Sequence, residues 1–362
     1  KQQYQNNVRF GSVSRAYYSL YILTYKGFYH RNIDTISSIM SLSAAFLSKT
    51  TPMMASLVSK PLPAAILFSL GFNMVKNVYR YYIAPRSLTG KVVVITGAGS
   101  GIGKEMSIKF AKAGCIVVLL DLSLPAVDAV KAIIESDGGK AHAYVCDVTS
   151  PSTVYSVAAS IKNEVGEVWC LVNNAGIVSG KSIFEVPDAL ASKTLAVNTE
   201  SHFWTVKAFV PGMIEKNDGC VVTVASAAGL VGVAGLGDYC ASKWGARGFN
   251  DALRLELRKM RKYGVKTLLV CPYFINTGMF DGVNGSNWPF GLILPMLQPT
   301  YVGDMIIKAV RRGQPELRMP RLMYVSDLLH FALPVWLKDL AFEIIGFSSS
   351  MDSFTQTRDT SK

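Results

Sequence analysis

Acidic residues are almost missing from the first 90 positions of this 362-residue chain, where Asp34 stands alone against ten Lys/Arg, while the remainder is close to balanced. The formal net charge of +12 therefore resides mostly in that segment. Interleaved with Tyr17, Tyr18, Tyr21, Tyr25, Tyr79, Tyr81 and Tyr82, it suits an anionic membrane surface, where amphipathic rings sit at headgroup level. Nucleic acid attracts basic and aromatic sequence too, but no recognition motif accompanies it, so no nucleic-acid partner is expected. Arg-containing, Ser-rich and nearly acid-free, the segment also fits an organelle transit peptide, which leaves a mitochondrial destination open.

Histidine is equally sparse. His30, His142, His202 and His330 are isolated, show no metal-ligand spacing, and predict no metal. The six cysteines lack paired spacing and fall mostly in apolar runs, so they read as buried reduced thiols. The uncharged run at 61–75 is shorter than the roughly 20 residues that a spanning helix needs. A monotopic anchor, or a re-entrant hairpin with the apolar stretch 36–47, fits it better; the alternative is a helix packed on the folded domain. Residues 1–88 are thus expected to form a basic, Tyr-rich, membrane-associated N-terminal region.

At Lys91 the texture changes. Residues 91–96 are a nearly continuous β-branched run, expected of a strand buried on both faces of a parallel sheet. Gly97-Ala98-Gly99-Ser100-Gly101-Ile102-Gly103 follows and leads into a helical pattern to about residue 112. Such glycines allow a tight turn and let backbone approach a pyrophosphate, which the helix N-terminus favours through its free N–H groups. The strand and helix on either side supply the context that makes the motif informative. A second strand, 115–120, ends in Asp121. A carboxylate there accepts hydrogen bonds from ribose hydroxyls and repels a 2′-phosphate, selecting NAD over NADP, although Lys104 partly offsets the repulsion.

Alternation continues with a helix at 125–136, a strand at 141–146 running into Asp147-Val148, a helix at 152–165, and a strand at 168–172 running into Asn173-Asn174-Ala175-Gly176. Alternating strands and helices predict an α/β fold, a doubly wound parallel sheet whose ligands bind beyond the C-terminal strand ends.

Tyr239 and Lys243 are four residues apart, so they share one helix face. A fixed cation favours the phenolate and brings a tyrosine, whose free pKa is about 10, toward the working range. With Ser226 holding a substrate oxygen, the pair can exchange a proton at a carbonyl or carbinol.

In order and spacing, Thr96-Gly97-x-x-x-Gly101-x-Gly103, Asp147, Asn173-Asn174-Ala175-Gly176, Asn198, Ser226 and Tyr239-x-x-x-Lys243 resemble the classical short-chain dehydrogenases/reductases. The resemblance covers residues 89–308 and implies a Rossmann sheet, with 309–362 as a partly apolar, helical C-terminal extension. It implies that Asn198, Ser226, Tyr239 and Lys243 are catalytic, with Asn198 holding a water that links Lys243 to solvent. Gly97, Ser100, Gly101, Ile102, Gly103, Asp121, Asp147, Val148, Asn174, Ala175, Gly176, Tyr239, Lys243, Pro272 and Thr277 would contact NAD. The family usually has Pro-Gly where this chain reads Pro272-Tyr273, which narrows the substrate side.

Within the family, the apolar N-terminal segment and Ser349-Ser350-Met351-Asp352-Ser353-Phe354 are similar to membrane-bound retinol dehydrogenases and lipid-droplet 17β-hydroxysteroid dehydrogenases. That implies a lipophilic alcohol or carbonyl substrate, an endoplasmic reticulum membrane or lipid-droplet surface, and, through the helix holding residues 251–257, a homodimer. Residues 278–297 read as an apolar lid, and 324–347 as a wall of the pocket, a membrane contact or ordinary core. Two other readings stay open. One is NADPH-dependent reduction of a 3-oxoacyl or sphingoid ketone; the other is a non-catalytic lipid-droplet scaffold.

Overall fold

The computed structural model describes residues 71–72, 85–280, 295–324 and 332–344, together with Met351 and Phe354. The chain divides into two units, Lys1–Val78 and Tyr79–Lys362. Of the first, only Gly71 and Phe72 are described, both helical and exposed. The expected anchor at 61–75 otherwise lies outside the described residues, as does the expected lid from 281 to 294. Among the described residues no helix is long and apolar enough to cross a membrane.

In the second unit, seven strands form one parallel sheet: β1 Val92–Thr96, β2 Ile116–Asp121, β3 Lys140–Val145, β4 Val168–Asn173, β5 Gly219–Val224, β6 Val265–Pro272 and β7 Glu316–Met319. Their spatial order is β3-β2-β1-β4-β5-β6-β7, with every pairing parallel. The sheet thus runs past residue 308. Order reverses between β1 and β4, which opens the crevice where doubly wound sheets bind ligands.

The strands form because their side chains are needed on both faces. In β1 all five residues are buried, and Val93 and Ile95 face one apolar cluster while Val94 faces the other. Burying a side chain such as Ile95 contributes about 1.5–3 kcal/mol. Edge strand β3 is covered less, and its Lys140 and Val145 are exposed.

Helices α1 Gly101–Lys112, α2 Leu124–Ser136 and α3 Pro151–Glu164 follow the first three strands. Ser123 caps α2 by accepting from Ala126 N, and Ser150 caps α3 by accepting from Thr153 N. Such caps satisfy backbone donors that the helix itself cannot. In α1, Met106 and Phe110 are buried, while Lys109 and Lys112 lie in the last turn, complementing the helix dipole.

Beyond β4 come α4 Asp188–Leu195, one π-helical turn Ala196–Glu200, α5 Ser201–Phe209 and α6 Pro211–Lys216. A short 3-10 turn, Ala227–Gly229, separates β5 from α7 Gly237–Lys259. Helix α8 Pro299–Arg312 packs beside α1, where Lys109 Nζ pairs with Asp304 at 2.6 Å. Helix α9 is Val335–Ile344. All six cysteines are buried and free, as expected.

The first continuously described residues lie at the foot of the sheet. Arg86 donates its backbone N–H to Arg311 O at 2.7 Å. Its guanidinium donates to Gly219 O at 3.5 Å and Gly264 O at 3.3 Å. Those carbonyls mark the N-terminal ends of β5 and β6.

Candidate active site

At the C-terminal strand ends lies a cavity of about 440 Å³, and every residue expected at the site except Asn198 lines it. Its catalytic corner is built by α7. Tyr239 and Lys243 stand one turn apart on the buried face of that helix, 5% and 4% exposed. Lys243 Nζ donates to Val224 O, the last carbonyl of β5, at 3.0 Å and lies 5.5 Å from the Tyr239 ring centroid. Ser226 follows two residues later, half-buried, its hydroxyl accepting from Ala228 N at 3.1 Å and lining the same cavity as Tyr239.

The electrostatics depart from the simplest expectation. Tyr239 is raised above the ordinary tyrosine range, chiefly because burial penalises the phenolate; the Ser226 hydroxyl works in the opposite direction. Burial also pushes the Lys243 ammonium down to about 8. Desolvation thus outweighs the expected pull of the cation on the phenol in this pocket. Both groups move toward their neutral forms, the arrangement suited to passing a proton.

Asn198 lies beneath the cavity, fully buried in the π-helical turn. Its Oδ1 accepts from Ile177 N at 2.9 Å, while Nδ2 donates to Ile177 O and Ser242 Oγ, both at 2.9 Å. The side-chain amide is therefore engaged with protein, tying the chain after β4 to α7 directly below Lys243. A π turn inside helical structure is a frequent mark of a functional region. Gly176 sits in the remaining gap: a Cβ there would stand 3.3 Å from Asn198 Oδ1 and 3.5 Å from Lys243 Nζ.

The other half of the cavity fits a dinucleotide. Gly97 has φ +64°, and a Cβ on it would come 2.9 Å from Ala175 Cα. A methyl on Gly103 would run into the Gly97 carbonyl, so loop and helix meet backbone to backbone. Asn174 fastens this arrangement by donating from Nδ2 to Thr96 O at 2.9 Å and Gly97 O at 3.2 Å. Ser100 begins α1 without its hydroxyl capping the helix, and no acid occupies the first turn. Hydroxyl, free N–H groups and dipole together suit a diphosphate. Asp121 is held by Gly99 N at 3.0 Å to Oδ2 and Ser123 N at 3.2 Å to Oδ1, leaving lone pairs toward the cavity for hydroxyl donors. Asp147 Oδ1 accepts from Thr149 N and Thr149 Oγ1 at 2.9 and 2.7 Å, so it braces the turn that presents buried Val148 to the cavity.

Thr277 faces Gly101 across the loop, its Cβ 3.5 Å from where a Cβ on that glycine would lie. Tyr273 lines the cavity yet is 6% exposed, stacked edge-on with Phe274 at 4.8 Å. Phe280 closes the series, 5.1 Å from Phe274 and 5.9 Å from Tyr239 between centroids. Sequence reasoning placed Phe280 in a lid but missed Lys193, Val197 and Ile275, which also line the cavity. Lys193 and Val197 precede and flank Asn198 on a helix, and nothing in their local pattern separates them from an ordinary helix face.

Comparison with known proteins agrees with this geometry. The family model described as short chain dehydrogenase matches residues 91–287. Epidermal retinol dehydrogenase 2 of Mus musculus is 41% identical over 75% of this chain and 87% of its own length. Retinol dehydrogenase 10 of Homo sapiens is 38% identical over 81% of this chain and 94% of its own. Among solved structures, a metagenomic short-chain oxidoreductase in complex with NADP matches with a TM-score of 0.54 at 29% identity, over 64% of this chain and 98% of that one.

Proposed function

The chain belongs to the short chain dehydrogenase family, an oxidoreductase acting on CH–OH groups, and on that footing we propose that it interconverts a retinoid alcohol and its aldehyde using NAD(H). The observation that carries the reading is the buried Ser226–Tyr239–Lys243 corner opening into the same cavity as the glycine cradle. The retinoid comes from the relatives' names together with an aromatic wall of Tyr273 and Phe280, backed by the core residue Phe274. NAD rather than NADP is supported by the Asp121 carboxylate, whose charge opposes a 2′-phosphate.

Ser226 orients the substrate oxygen with its hydroxyl. Tyr239 takes the proton from the carbinol or returns it to the carbonyl. Lys243, fixed by Val224, stabilises the phenolate form of Tyr239 and would hold the ribose of a bound cofactor. A bound nicotinamide supplies the hydride acceptor or donor. Asn198 supports this corner from below by tying Ile177 to Ser242, the residue before Lys243. The reaction takes place at an endoplasmic reticulum or lipid-droplet surface, to which the basic Tyr-rich region at 1–88 draws the protein. A homodimer forms through α5 and α7, where exposed Phe203, Trp244 and Leu255 supply apolar surface.

Full-length, detergent-solubilised protein assayed by NADH absorbance against retinol and retinal, a 17β-hydroxysteroid and its ketone, and a long-chain alcohol and its aldehyde tests this. Turnover of the retinoid pair with NAD(H) is expected. Measurable NADH binding with no turnover of any pair would overturn the catalytic reading.

A further inference from the structure

Two residues far along the chain, Met351 and Phe354, pack near the catalytic corner. Met351 is 7% exposed and joins the apolar cluster that contains Leu230, Leu236 and Tyr239. Phe354 packs against the same cluster, and its N–H donates to Met351 O at 3.0 Å. These two side chains seat in two glycine notches on different loops.

Phe354 lies over Gly180, in the loop after β4, where a Cβ would overlap its ring. Met351 lies over Gly235, in the turn before α7, its Cβ 3.2 Å from where a Cβ on that glycine would stand. Both glycines hold positive φ, +63° and +75°, so the notches combine an absent side chain with a backbone shape other residues resist. The two loops already touch each other. Ser179 Oγ donates to Asp238 Oδ1 at 2.6 Å, and a Cβ on Gly237 would meet Ile183. Asp238 directly precedes Tyr239. A cavity of about 580 Å³ is shared by Gly180, Lys181, Ser182, Glu185, Gly235 and Met351, so Met351 forms part of a wall that both loops line.

We propose that Met351 and Phe354 are positioning residues for the dehydrogenase centre: seated on Gly180 and Gly235, they clamp the loop after β4 to the turn that launches α7, fixing Tyr239 against Ser226 and shaping the acceptor side of the pocket. The kinetic part of this inference rests on the retinoid dehydrogenase reading; the structural part does not. A shared apolar clip over both loops adds to the Ser179–Asp238 hydrogen bond and opposes their separation. Small displacements of a proton donor are enough to slow chemistry, which is why the clip matters to rate as well as to fold.

The test compares full-length wild type with Phe354→Ala, Met351→Ala and the conservative Phe354→Leu. Hydrogen exchange is expected to quicken at residues 177–187 and 230–240 in both alanine variants while β1 to β5 stay protected. Retinal kcat/KM is expected to fall about tenfold, with the KM for NADH within about twofold, and Phe354→Leu is expected to recover most of the loss. Unchanged exchange in both loops with unchanged kcat/KM overturns the proposal. If Phe354→Ala fails to unfold cooperatively, Phe354→Leu against Phe354→Val carries the same comparison. A wild type inert toward every retinoid defeats the functional reading alone, and the exchange comparison still decides the clip.

Discussion

Lys243 Nζ reaches past Tyr239 to donate to Val224 O at 3.0 Å, so that the ammonium is fastened to the end of β5 while lying 5.5 Å from the tyrosine ring. A cation tied from its helix to a strand of the sheet has a fixed position, and Tyr239 is left as the group that moves the proton. Tyr239→Phe removes only the hydroxyl from a 5%-exposed ring. It is expected to lower kcat by roughly 10²–10⁴ while NADH binding and thermal stability stay near wild type. Stopped-flow or steady-state turnover beside NADH fluorescence titration measures both, and wild-type turnover in this variant would defeat the assignment.

Burial brings Lys243 down to about 8, so its charge is present below that pH and lost above it. Aldehyde reduction benefits from the cation, because the proton donor becomes a phenolate. The kcat/KM for reduction is therefore expected to fall as pH rises through about 8, and Lys243→Arg, which does not titrate in this range, removes that limb from the pH profile.

Asp121→Asn keeps an oxygen for Gly99 N–H, to which the carboxylate now binds at 3.0 Å, while removing the charge. The ratio of kcat/KM for NADP(H) over NAD(H) is expected to rise about tenfold, the ~1.4 kcal/mol scale of one relieved like-charge contact. An unchanged ratio would show that selectivity lies elsewhere in the cradle.

His202 is buried beside Phe249, ring centroids 5.6 Å apart, and its Nδ1 has no hydrogen-bond partner among the described residues. Burial, reinforced by the Lys243 charge, holds it down at about 3. Between that value and 6.5 the unfolded chain binds a proton that the folded protein refuses, so stability falls as pH drops through this window. At pH 5 the loss from this residue is about 2 kcal/mol relative to neutral pH. Urea unfolding of wild type and His202→Gln at pH 5 and 7 measures it, and the variant is expected to show the smaller acid loss.

The nucleotide half of the site was legible because it is local: a β-branched strand, a glycine loop and a helix are contiguous, and each carries its own signal. Strands β1 to β4 fell within two residues of expectation for the same reason. The pairing of Tyr239 with Lys243 followed from helix period alone. Tertiary environment escaped the reading. Sequence spacing suggested that the lysine lowers the tyrosine, but spacing carries no burial, and desolvation governs both groups. Strand β7 has only four residues, too short to show a period. The seating of Met351 and Phe354 joins positions more than a hundred residues apart, and no local pattern encodes such a contact.

Arg86 stitches the incoming chain to carbonyls at the foot of β5 and β6, whereas the glycine loop and Tyr239 occupy the opposite pole. A full strand, Gly219 to Val224, therefore separates the carbonyl that Arg86 holds from the one that holds Lys243.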